Sequence, residues 1–103
     1  MTKAIINGKM YNTETATEIA NYWNGLGNGD FNNMDESLYK KKTGEFFLCG
    51  EGGPLTKYRE EAFGGGFCGG SRIIPLTVDE AKKWCEQYCD ADTYIQTFGE
   101  PEE

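Results

Sequence analysis

Apolar residues bracket a turn at the start of the chain: Ala4-Ile5-Ile6, then Asn7-Gly8, then Lys9-Met10-Tyr11. Asn-Gly accepts the positive φ angles of a type I′ turn, so this stretch predicts a hairpin. Ala16, Ile19, Ala20, Trp23 and Leu26 then recur at helical spacing. Thr15 with Glu18 three residues on matches a capping box, with Asn12 or Thr13 as other candidate caps. The spacing predicts a helix that ends at Gly25, Gly27 and Gly29. Asp30–Asp35 reads as an irregular loop. Two strands follow, Ser37–Lys42 and Glu45–Cys49, around the turn Lys42-Thr43-Gly44. Phe46, Phe47, Leu48 and Cys49 are apolar on both faces, which places their strand centrally.

Nine glycines fall between Gly44 and Gly70, in GEGGP and FGGGFCGG. Fixing glycine carries a large entropy cost, so this middle is expected to be mobile or pinned by a partner. Tyr58, Phe63 and Phe67 interrupt it as candidate anchors. Arg72–Leu76 predicts a short strand, and Pro75, with no backbone donor, suits an edge or a strand end. Thr77 and Glu80 form a second capping box, which opens a helix over Val78–Cys89. Ala81, Trp84, Cys85 and Tyr88 make its core face; Asp79, Lys83, Glu86 and Asp90 face water. Ala91–Phe98 adds a short turn of helix, with Tyr94, Ile95 and Phe98 over the end of the core.

The predicted order is hairpin, helix, hairpin, glycine loop, strand, helix. Strands joined by tight turns pair antiparallel. The expectation is an α+β fold in which two helices pack on one face of an antiparallel sheet of about four to five short strands. At 103 residues, 38% hydrophobic and 26% charged, one domain spanning 1–103 with one small core is expected.

Charge changes the picture. Residues 1–78 carry nine acids against eight bases, whereas residues 79–103 carry eight acids against Lys82 and Lys83. A field of that sign repels phosphate backbones and attracts basic surfaces. Direct nucleic-acid binding is disfavoured. The cluster Glu80, Glu86, Asp90 and Asp92 is either a solubilising surface or a docking surface for a nucleic-acid-binding protein. Glu51, Glu60 and Glu61 near the glycine loop, and Lys40, Lys41 and Lys42 at a hairpin tip, are further candidate partner contacts. The adjacent pairs Asp35-Glu36 and Glu60-Glu61 read as solvated carboxylates. No apolar run approaches the roughly 20 residues of a membrane span and MTKAIINGKMYN lacks a signal peptide's apolar stretch, so a cytoplasmic location is expected.

Candidate chemistry is thin. There is no histidine, the usual general base and commonest metal ligand. GEGGP and FGGGFCGG lack the GK[ST] or GxGxxG of a phosphate cradle. Cys49/Cys68 and Cys85/Cys89 lack the CxxC knuckle of a zinc site, and the four thiols are expected as buried free cysteines. No catalytic residue, metal or cofactor is assigned. A magnesium-dependent nuclease, which needs only one or two carboxylates, stays open as an alternative without any spacing that favours it.

The blocks AIINGKMYNTETATEIA, LYKKKTGEFFLCGEGGPLTKY and IIPLTVDEAKKWCEQYCDADTYIQTFGE resemble a family of small type II-A anti-CRISPR proteins from mobile elements of Firmicutes, inhibitors of Cas9-type RNA-guided nucleases. The likeness spans nearly the whole chain and is most distinctive over Leu38–Tyr58. It implies inhibition by binding a type II-A CRISPR nuclease, through interference with guide-RNA loading or with the assembled nuclease–guide complex. An activity residing in the additional C-terminal domain of some relatives is not carried over. Two alternatives accompany this expectation: metal-dependent trimming or degradation of guide RNA, and a non-defence interaction domain of a phage or plasmid.

Overall fold

Asn7 and Gly8 hold φ angles of 52° and 78°, the left-handed pair that a type I′ turn requires. They join β1 (Lys3–Ile6) to β2 (Lys9–Asn12), with Ala4 opposite Tyr11. The computed structural model describes residues 2–27 and 29–102. Beyond the hairpin it contains β3 (Thr17–Trp23), β4 (Met34–Lys40), β5 (Phe46–Gly52), β6 (Glu60–Glu61), β7 (Phe67–Cys68) and β8 (Gly70–Leu76), then α1 (Val78–Tyr88) and α2 (Ala91–Phe98).

The main sheet is antiparallel throughout, in the order β3-β4-β5-β8. The apolar run in β5 is internal and the proline-bearing β8 is an edge, as their sequences predict. Successive side chains of a strand point to opposite faces, and β5 therefore feeds two cores. Phe46 and Leu48, with Leu38 of β4, meet Ala81 and Trp84 of α1 on one face. Phe47 meets Tyr11 of the N-terminal hairpin and Ile73 of β8 on the other. Leu38 and Phe47 are wholly buried. Burying a side chain of this size contributes about 1.5–3 kcal/mol, so β4 and β5 supply much of the apolar stabilisation.

The helix expected over Ala16–Leu26 is instead the edge strand β3. A bulge between Glu18 and Ala20 interrupts its register with β4, and Ile19 and Ala20, neighbours in sequence, both pack against the helix-side core. A bulge breaks the two-residue period of a strand, and here it leaves a spacing that imitates a helical stripe. The Thr15 hydroxyl donates to the Asn12 carbonyl, and the Asn12 side chain accepts from the Glu14 amide, so the supposed cap is a turn. Two helices do pack on one face, but the second is α2: Phe98 lies 5.2 Å from Phe46, ring to ring.

The glycine-rich middle is pinned by the chain itself. Tyr58 packs directly over Gly50, where a Cβ would collide with its hydroxyl, and a Cβ on Gly69 would lie 2.6 Å from the Gly52 carbonyl oxygen. Of the three expected anchors only Tyr58 is buried. Phe63 and Phe67 on the β6–β7 hairpin are exposed, and the Arg59 guanidinium covers the Phe67 ring at 4.4 Å.

Candidate docking site

The C-terminal helices are built by local signals. Thr77 accepts from the Glu80 amide at 3.1 Å while the Glu80 carboxylate accepts from the Thr77 amide at 2.8 Å, the reciprocal capping box that starts α1. Asp90 caps α2 by accepting from the Thr93 amide at 2.8 Å. Those bonds, first of all from Thr93, hold the Asp90 carboxyl below its usual range. The stripe Ala81, Trp84, Cys85 and Tyr88 turns α1 towards the sheet, which sends Glu86 to solvent.

Where the two helices meet, an open groove of about 490 Å³ runs between them. Its apolar lining comes from Cys85, Cys89, Ala91, Tyr94, Ile95 and Pro101, with Glu86 and Asp90 beside it. Burial, followed by a hydrogen bond with Cys89, pushes the Cys85 thiol up to about 12. Cys85 therefore sits in the groove as a neutral thiol that packs like a small apolar residue. Asp92 lies in the first turn of α2. The ion pairs among the described residues join Lys9 and Lys41 to Glu45 and Lys57 to Glu36. No acid of α1 or α2 takes part in one, so the field of this face is left to act on whatever approaches.

The other predicted contacts lie apart from this groove. Glu51 and Glu60 line a second, polar hollow of about 550 Å³ with Asn33 and Ser71, while Glu61 is on the β6–β7 hairpin opposite Phe67. Lys40 ends β4, with its ammonium 5.7 Å from the Phe46 ring. Lys41 lies 4.2 Å over the Tyr11 ring and pairs with Glu45 at 3.0 Å. Of the three lysines only Lys42 is exposed, so the tip is not a free basic patch. The thiols divide: Cys85 is buried, Cys49 and Cys89 are half-buried and Cys68 is exposed, which corrects the expectation of four buried cysteines. No group of three or more metal-ligating acids or thiols comes together among the described residues. Among the described residues no helix is long and apolar enough to cross a membrane.

One carboxylate departs from what its sequence neighbours suggest. Glu36 is not solvated: it is 1% exposed. Its Oε2 accepts from the Tyr58 hydroxyl at 2.6 Å and pairs with the Lys57 ammonium at 2.6 Å; its Oε1 accepts from Trp84 Nε1–H at 3.0 Å. Burial alone would raise its pKa, but Lys57, Tyr58 and Trp84 outweigh it, and the carboxyl titrates below its ordinary value. Burial, and then the carboxylate beside it, push the Tyr58 hydroxyl in the opposite direction, to a higher pKa. The cluster is closed on itself. It ties the 57–58 segment and α1 to β4, and so fixes the frame that presents the groove. Alternation held the clue, since Glu36 shares a strand face with Leu38.

Comparison with known protein families, with curated proteins and with solved structures found no match.

Proposed function

We propose that the protein inhibits a type II-A RNA-guided DNA nuclease by binding it, with the acidic face of α1 and α2 meeting a basic surface that otherwise serves the guide RNA. Such nucleases hold nucleic acid in a positively charged channel. Carboxylates that are already paired within their own protein add little to such an encounter, whereas free ones steer it and give it salt dependence. The observation that carries the reading is that Glu86, Asp90 and Asp92 flank or adjoin a groove and enter no ion pair among the described residues, Asp90 also capping α2. The sequence resemblance supplies the class of target. The outcome is a block of guide loading, or of the loaded complex, by occupation.

The test is to add the protein to a nuclease of this class before or after its guide, and to follow DNA cleavage and guide length together. Inhibition with the guide intact is expected, and it should weaken as salt shortens the roughly 8–10 Å screening length. The combined change Glu80→Gln, Glu86→Gln, Asp90→Asn and Asp92→Asn should abolish most of it. Gln serves in a capping box and Asn caps helices well, so the fold should survive. Guide fragments produced at substoichiometric protein would replace this reading with RNA cleavage. No inhibition in either order of addition would leave a basic partner outside this defence system.

A further inference from the structure

We propose that the groove between α1 and α2 is a socket for an apolar side chain carried on a cationic segment of a partner protein, so that recognition needs both a lysine- or arginine-rich flank and an apolar anchor. The inference rests on the α1–α2 face being the docking surface, but not on the partner being a nuclease.

Three properties of the groove select this occupant. Its lining is mostly apolar: Cys85 is buried, Cys89 is half-buried, and Ala91, Tyr94 and Ile95 continue the surface outwards, with Ile95 still 37% exposed. Such a surface gains nothing from a purely polar ligand. Second, Glu86 and Asp90 stand beside it and Asp92 lies one residue into the α2 first turn beyond Ala91, with Glu100 and Glu102 in the segment that carries Pro101. The described residues hold no ion pair to any of these acids. An anionic lipid surface, a phosphate backbone or a second copy of this chain would bring like charge against like. A cation-flanked apolar residue brings the complement. Third, the groove is open to solvent, which suits a side chain projecting from a helix or strand better than a small molecule that must be enclosed on most sides.

Two synthetic peptides of equal lysine content serve as probes, one with leucine interleaved at helical spacing and the other with serine in its place. Binding to the whole protein is followed by amide chemical shifts and by titration. The leucine peptide should bind roughly tenfold or more tightly than the serine peptide, as expected for burying one large aliphatic side chain, with shifts concentrated over residues 85–101. Ile95→Ser should remove that advantage while leaving the serine peptide's affinity unchanged. Glu86→Gln with Asp90→Asn should weaken both peptides and flatten their salt dependence. Thermal melting confirms that each variant is folded. Equal affinity for the two peptides, an advantage that survives Ile95→Ser, or shifts centred elsewhere would each overturn the socket. Should the peptides fail while nuclease inhibition persists, the socket falls and the inhibitor reading stands. Selective peptide binding without nuclease inhibition supports the socket and removes the nuclease as its partner.

Discussion

Glu36 and Glu86 are the same residue type placed in opposite circumstances. Glu36 sits in β4 beneath α1, and three donors, from Lys57, Tyr58 and Trp84, take up its charge. Glu86 lies two residues after Trp84 on α1, faces water and has no ion-pair partner among the described residues. One carboxylate spends its field inside the fold and the other projects it. Net charge of −7 therefore says less about interaction than the question of which acids are already answered from within. The N-terminal region answers Glu36 and Glu45 with lysines, whereas among the described residues no basic side chain pairs with an acid of the C-terminal helices, although Glu80 and Asp90 cap them.

Removing the buried carboxylate should break this comparison most severely. Glu36→Ala leaves the Tyr58 hydroxyl and the Trp84 indole N–H without a buried acceptor, and should cost about 3 kcal/mol or more. Urea unfolding measures it, and Glu86→Gln followed in the same way should change stability by less than about 0.5 kcal/mol. Comparable losses from the two would mean that Glu36 is not held as described.

A smaller loss is expected from Tyr58→Phe, which keeps the ring over Gly50 and deletes one hydrogen bond to an ionised acceptor, at about 1.5–3 kcal/mol. Because that hydrogen bond ties Tyr58, and with it the glycine-rich middle, to Glu36 of β4, amide exchange over residues 50–58 should rise along with the global loss. An unchanged midpoint would show that Lys57 and Trp84 suffice to satisfy Glu36.

The smallest effect belongs to the rim of the sheet. Glu45 accepts from Lys9 at 2.7 Å and from Lys41 at 3.0 Å, and these hydrogen bonds lower its carboxyl from 4.5 to about 2. A depressed carboxylate pKa contributes stability above the unfolded value, and that contribution is lost as pH falls through the folded one. Melting temperature should thus decline as pH drops from about 4.5 towards 2, and Lys9→Ala should make the decline shallower. Glu45 is solvent-accessible, so screening keeps the effect small. A decline of equal steepness in the variant would assign it to Glu36 and Asp90 instead, whose carboxyls are also depressed.

Local chemistry was legible wherever it was self-contained. The Asn7-Gly8 turn, the Thr77–Glu80 capping box, the two-faced apolar run of β5 and the edge position of the Pro75 strand each depend on residues close in sequence. The uneven charge was equally plain, because it is a count. The sequence by itself thus determined the α+β class, the antiparallel pairing and the acidic character of the last quarter. Tertiary structure decided the rest. The 17–23 segment became a strand because β4 offered an edge to pair with, and its bulge disguised the strand period as a helical one. Glu36 became a buried hub because Trp84, 48 residues away, arrived on α1 to meet it. The groove exists only because α2 docks on Phe46 through Phe98 beside α1. Each of these depends on which distant groups arrive to satisfy a backbone edge, a charge or an apolar face, and those partners are chosen by packing in three dimensions, which local sequence patterns do not encode.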